Sequence, residues 1–266
     1  MSESVRMSDA KGALAEGIPV RFKTALARVV DAVLPPSCLS CGAPVGEAGA
    51  LCGACWQALH FLESPLCECC GLPLEGAGAG DMLCGGCIAD RPLYRRARAV
   101  LGYDDASRKL VSRFKYRDHT EMAKSFAGWM ARTGRGLMGE CDLIAPVPLH
   151  PLRLLLRRFN QAALLALSMG RRSGLPVVPE LLRRIRFTPS QVGLSAEARR
   201  RNVAHVFRLR PRYAEEIKDM RILLVDDVLT TGATAEACAR VLLRAGASAV
   251  DVLTLARVVT PRRPIA

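Results

Sequence analysis

The chain has 266 residues, half of them hydrophobic, and a formal net charge of +13 at pH 7. That much apolar mass allows a sizeable core and excludes global disorder. No apolar run approaches the ~20 residues of a membrane-spanning helix, and the opening MSESVRMSDAKGALAEGIPV lacks the basic-then-apolar layout of a secretory signal, so a cytoplasmic setting is expected.

The charge is divided unevenly. Residues 1–90 carry 5 basic and 10 acidic side chains, net −5, whereas residues 91–266 carry 33 basic and 15 acidic, net +18. The split predicts two domains with different partners. Arginine supplies 32 of the 38 basic residues. A solvated basic face, an anionic substrate and a nucleic acid all remain open readings of that excess.

In chain order, residues 1–34 read as a flexible polar N-terminus followed by a short amphipathic helix from Ile18 to Leu34. There Phe22, Leu26, Val29, Val30 and Val33 recur at helical spacing, and Pro35-Pro36 ends the helix. Residues 35–90 hold nine of the eleven cysteines, eight of them in four C-x-x-C pairs: Cys38/Cys41, Cys52/Cys55, Cys67/Cys70 and Cys84/Cys87. Two intervening residues form a knuckle that presents both thiolates to one ion, and four sulfurs complete a tetrahedral zinc site. The short intervals favour consecutive pairing, so two structural zinc ions are expected, supplying the folding free energy of a segment too small for its own core. Cys69, inside the third knuckle, competes with Cys70, which keeps the spacing. Cys141 and Cys238 stand alone and read as core cysteines. Trp56 and Trp129 read as packing residues, and the four scattered histidines share no ligand spacing.

Residues 91–266 alternate between strand and helix patterns. Strands are expected at Arg98–Tyr103, Leu143–Val147, Ile222–Val225 and Ala249–Leu255. Helices are expected at Ser107–Tyr116, Thr120–Thr133, from about Pro151 to Arg172, and at Thr234–Ala245. This order predicts an α/β fold, a parallel sheet with helices on both faces.

The stretch ILLVDDVLTTGAT, Ile222 to Thr234, carries two adjacent carboxylates and then a turn with little side-chain bulk. Like charges in contact repel, which argues for a ligand. A nucleotide-magnesium strand needs a G-x-x-x-x-G-K-[ST] loop, which the chain lacks. A response-regulator pocket needs more βα units than the single helix and strand that follow. The arrangement makes sense if something polyhydroxylated, metal-bound or phosphorylated sits there. Backbone N–H groups and hydroxyls of Thr230–Thr234 wrap an anion at a helix N-terminus, and Gly232 permits close approach.

Together the strand, acidic pair and T-T-G-A-T turn resemble the phosphoribosyl pyrophosphate (PRPP) signature of type I phosphoribosyltransferases. The resemblance implies that Asp226 and Asp227 hold the ribose hydroxyls and, with them, Mg2+, while Thr230, Thr231, Gly232, Ala233 and Thr234 cradle the 5′-phosphate. Where many purine salvage members carry an aspartate, this chain has Thr230. The segment APVPLHPLRLLLRRFNQAALLA resembles that family's pyrophosphate segment, which puts Pro148, Arg153, Arg157 and Arg158 near phosphate charge; a helix with a basic outer face is the competing reading. RFTPSQVGLSAEARRRNVAHVF takes the place of the flexible loop, with Gln191, Leu194, Arg199 and Asn202 in pattern, and FKYRDH brings Lys115.

From about Asp31 to the C-terminus the chain resembles the ComF (ComFC-type) competence family, in which an N-terminal double zinc ribbon precedes a phosphoribosyltransferase-like domain. The resemblance implies a phosphoribosyltransferase-like protein acting in DNA uptake and natural transformation. It also implies PRPP or another phosphorylated ligand, and single-stranded DNA, as partners. The ribbon segment is acidic and looks suited to docking a protein. The alternative is a non-catalytic single-stranded DNA-binding or scaffold protein on the same fold; only 13 aromatic residues are available for stacking bases.

Overall fold

A computed structural model describes residues 36–74, 82–116, 120–188, 196–203 and 205–259. The expected helix at Ile18–Leu34, and Gln191 and Leu194, lie outside the described residues.

The elements in order are α1 (Gly53–Gln57), α2 (Gly85–Ala89), β1 (Ala97–Gly102), α3 (Asp105–Tyr116), α4 (Thr120–Thr133), α5 (Arg135–Met138), β2 (Leu143–Pro146), α6 (Pro151–Arg157), α7 (Gln161–Ser173), β3 (Leu182–Arg184), α8 (Ala196–Val203), β4 (Phe207–Leu209), β5 (Arg221–Leu229), α9 (Ala233–Arg244) and β6 (Ala249–Arg257). Four strands form a parallel sheet in the order β1-β6-β5-β2, with Leu143 opposite Ile222 and Ile222 opposite Val250. Val177 adds a parallel bridge beside Ile144.

Both faces of the sheet are buried, as the unbroken aliphatic runs require. On β5, Ile222 and Leu224 join a core with α9 and the paired strands β3 and β4, whereas Leu223 and Val225 join a second core with α3, α4 and α7. Cys238 falls in the first core and Cys141 in the second.

One sequence expectation is corrected. The helix expected from Pro151 to Arg172 is two helices, because Arg158 turns into the left-handed region (φ 65°). Asn160 then starts α7: its Oδ1 accepts from Ala162 N and its Nδ2 donates to the Val147 carbonyl. The antiparallel β3–β4 pair, and α8 in the connection between them, were not among the expected elements.

The cysteine segment is an internal repeat. C-L-S-C-G-A-P and C-E-C-C-G-L-P fold alike: Cys38 N bonds the Ala43 carbonyl as Cys67 N bonds the Leu72 carbonyl, each 2.7 Å, and Gly42 and Gly71 both take positive φ. The second pair of each ribbon starts a short helix, with Cys52 and Cys84 as N-caps.

The two ribbons grip the edge strand β1 from opposite faces. Leu39 and Leu59 of the first enter the α4-side core, and Cys69, Cys70 and Leu72 of the second enter the α9-side core. Backbone bonds from Leu62 N to Val100 O, Gly102 N to His60 O and Ala97 N to Cys69 O occupy an edge that would otherwise be open. Trp56 packs 4.9 Å from Phe61 and 5.6 Å from Trp129, ring centre to ring centre, so both tryptophans are packing residues.

Candidate functional site

A cleft of about 670 Å³ opens at the carboxyl end of the sheet, lined by segments that follow β1, β2, β5 and β6. Open α/β sheets place ligands in this position. β5 runs past its aliphatic stretch and carries Asp226 and Asp227 to the cleft floor, where Asp226 Oδ1 accepts from Asp227 N at 2.8 Å. Burial, and then the neighbouring charge of Asp227, push the Asp226 carboxyl well above its ordinary value of 3.8; the Asp227 N–H and the Lys115 ammonium oppose the rise. Thr230, Gly232 and Thr234 line the same cleft. Gly232 takes φ 81° as the N-cap of the twelve-residue helix α9, a backbone shape that a side chain would strain. Thr231 Oγ1 accepts from Ala233 N at 3.4 Å within this turn.

Basic groups stand opposite. Lys115, at the end of α3, places Nζ 2.8 Å from Asp227 Oδ2. The buried Gln161 holds that lysine's backbone: its Nε2 donates to the Lys115 carbonyl at 3.2 Å, and its Oε1 accepts from Arg157 at 3.5 Å. Arg153 donates to the Thr188 carbonyl at 2.8 Å and lies over Phe187, and desolvation and then Arg157 lower its pKa. His150 caps α6 through Nδ1, accepting from Leu152 N.

Of the residues singled out in the sequence, Lys115, Pro148, Arg153, Arg157, Asp226, Asp227, Thr230, Gly232 and Thr234 converge on this cleft. Arg158 is exposed and does not line it. Arg199 lies on α8, and its side chain falls outside the described positions. Tyr103, Arg108, Arg184 and Thr254 also line the cleft and were missed. For Arg184 the signal was the L-R-R alternation, which turns it to the same buried side as Leu182.

The eight paired cysteines form two four-sulfur groups, Cys38/Cys41/Cys52/Cys55 and Cys67/Cys70/Cys84/Cys87, with the sulfurs of each within 4.8 Å of one another. A tetrahedron with Zn–S near 2.3 Å has edges of about 3.8 Å; Cys41 and Cys52 Sγ are 3.7 Å apart, and Cys70 and Cys84 Sγ are 3.6 Å apart. Backbone N–H groups of Ser40 and Cys52 point at Cys38 Sγ, as those of Cys70 and Cys84 point at Cys67 Sγ. The donor set fits zinc. Cys69 stays out of the second group, and its carbonyl is used to hold β1.

Residues 29–88 match the double zinc ribbon domain family, and residues 166–265 match the phosphoribosyl transferase domain family. Over 232 residues the chain is 33% identical to the DNA utilization protein YhgH of Escherichia coli, spanning 84% of this chain and 98% of that protein. It is 31% identical over 215 residues to the competence protein ComFC of Bacillus subtilis, covering 78% and 84% respectively. It is 30% identical over 212 residues to competence protein F of Haemophilus influenzae, covering 78% and 90%. The chain belongs to the ComF family. In this ComF-family protein the ribbon and the transferase-type sheet are joined through β1. No helix among the described residues is long and apolar enough to cross a membrane.

Proposed function

We propose that this protein binds PRPP with Mg2+ in the cleft and acts in the cytoplasm on DNA taken up during natural transformation. The observation that carries the reading is the convergence of the Asp226–Asp227 pair, the turn residues Thr230, Gly232 and Thr234, and the cations Lys115, Arg153 and Arg157 on one cleft. The turn suits the 5′-phosphate because it leads into the N-terminus of α9, where the positive end of the helix dipole favours an anion. The acidic pair suits ribose hydroxyls and a hard cation that prefers oxygen ligands. Asp226 and Asp227 would hold Mg2+ together with the ligand, and the ion would supply positive charge beside the pyrophosphate leaving group. Lys115, Arg153 and Arg157 add to that stabilisation from the protein side. In a transferase reaction the bond from ribose C1′ to the pyrophosphate oxygen breaks, pyrophosphate takes the electron pair, and an acceptor nucleophile bonds C1′. Residues 91–266 form this unit in our reading, and residues 35–90 form an acidic zinc module that docks a protein partner.

Calorimetric titration of PRPP with Mg2+ into zinc-loaded protein tests the proposal, beside an Asp226→Ala/Asp227→Ala variant that folds normally. Binding that disappears in the variant supports it, and no binding to the folded wild type sinks it.

A second reading, single-stranded DNA binding without turnover, is favoured by the net charge of +18 on residues 91–266. The relatives' names, which speak of DNA utilization and competence, point the same way. A steep salt dependence of DNA affinity together with displacement by PRPP would place both ligands on the same cleft.

A further inference from the structure

Arg184 lines the cleft and is only 7% exposed. Buried arginines are almost always paired. Here, among the described residues, no carboxylate forms an ion pair with it. One Nη donates to Thr188 Oγ1, the guanidinium stands 5.5 Å from the centre of the Phe207 ring, and Nε has no hydrogen-bond partner. A hydroxyl and a ring face are weak substitutes for a counter-ion. Desolvation, and then the charge of Arg153, lower the Arg184 pKa, and Cys238 and Asp226 only partly offset them.

A buried cation with an open donor is costly to keep unless something anionic completes it. Its position narrows the choice. Arg184 stands at the end of β3, beside Phe207 of β4, and shares the cleft with Arg153 of α6 and with the aspartates of β5. The guanidinium fork matches a phosphoryl group geometrically, and Nε–H is the unused prong.

We propose that Arg184 is a receptor for a phosphoryl oxyanion of the cleft's ligand, supplied by the β3–β4 strand pair and distinct from the Thr230–Thr234 turn. This rests on the reading of the cleft as a phosphorylated-ligand site. The phosphoryl group has two sources on such a ligand, a sugar 5′-phosphate or a pyrophosphate. A residue kept for a ligand contributes little to the empty protein, so its apolar replacement should be tolerated in the fold while binding is lost.

The test uses the full zinc-loaded chain. Inorganic pyrophosphate and ribose 5-phosphate are titrated separately, each with Mg2+, into wild type and Arg184→Gln. Losing a charge-assisted hydrogen bond should weaken one probe by about tenfold or more, leaving the other nearly unchanged, and the probe affected names the phosphoryl group that Arg184 holds. In parallel, ligand-free Arg184→Met should melt at or above the wild-type temperature and lose the ligand-induced rise for that probe. Equal affinity of wild type and Arg184→Gln for both probes overturns the proposal, as does a ligand-free Arg184→Met that melts far below wild type, which would make Arg184 structural. Failure of the wild type to bind either probe is a different result: it sinks the reading of the cleft and the Arg184 receptor with it.

Discussion

Lys115 Nζ lies 2.8 Å from Asp227 Oδ2, joining the end of α3 to the acidic tip of β5. Gln161 fixes the lysine's carbonyl, so the R-F-N-Q-A segment acts on the acidic pair through Lys115. Without ligand, the lysine is the counter-charge that lets two carboxylates sit side by side. The two side chains are 22% and 17% exposed, so water screens the pair only partly. A double-mutant cycle of Lys115→Met and Asp227→Asn, read by urea denaturation, should give a favourable coupling of about 1–2 kcal/mol. Additive single effects would mean that the contact has no energetic weight.

Asp226 makes the protein's stability depend on pH with a defined sign. Its folded-state carboxyl is pushed above the ordinary 3.8 by burial and by Asp227. The folded state therefore binds this proton more tightly than the unfolded state does. The associated stability is complete below 3.8 and is lost as pH rises through the raised value. Asp226→Asn should accordingly be more stable than wild type at pH 8, with the advantage shrinking as pH falls toward 4. If Mg2+ and PRPP need the ionised pair, their binding should release a proton, seen as a calorimetric enthalpy that varies with the buffer's ionisation heat. A constant Asn advantage across pH would count against the raised carboxyl.

The sequence disclosed the site better than its approach. Asp226, Asp227 and the turn were legible because a strand, a charge conflict and a glycine-threonine turn lie consecutively in the chain. The eight zinc ligands were legible from spacing alone. What stayed hidden depends on contacts between distant segments. The break at Arg158 is enforced by Asn160 reaching the Val147 carbonyl, and Pro151–Arg172 otherwise reads as one apolar helix. For Arg184 the only signal is the L-R-R alternation of the three-residue strand β3, too brief to stand out from its surroundings. The grip of the ribbons on β1 is made largely by backbone groups, which carry no residue signature.

Gly71 tests that grip. A Cβ there would stand 2.4 Å from the Ala97 carbonyl oxygen of β1, and φ is 67°. Gly42, its counterpart in the first ribbon, has φ 84° with nothing within 4 Å. Gly42→Ala should therefore cost only backbone strain, about 1 kcal/mol. Gly71→Ala adds a backbone clash and should cost more than about 2 kcal/mol. Chemical denaturation of the two variants compares them directly. Equal costs would mean that the second ribbon can shift off β1 without penalty.

The two cysteine groups should also release zinc differently, because their surroundings differ. Cys41 is exposed and Cys52 and Cys55 are half-buried, whereas Cys67, Cys70, Cys84 and Cys87 are all buried. The second group is further enclosed by two arginines: Arg257 donates to the Cys70 carbonyl, and Arg98 donates to the Glu68 carbonyl and pairs with the Glu68 carboxylate. A chelator must reach the sulfurs, so zinc-loaded protein should release its metal to a chromogenic chelator in two phases of one equivalent each. Cys41→Ser should remove the fast equivalent and leave the slow one. Loss of the slow equivalent should loosen β1, since Cys69 and Cys70 hold the sheet through their carbonyls. Hydrogen exchange at the Ala97 amide, which donates to Cys69, then speeds up in the second phase but not the first. Release in a single phase, or exchange at Ala97 that follows the fast equivalent, would contradict the independence of the two ribbons.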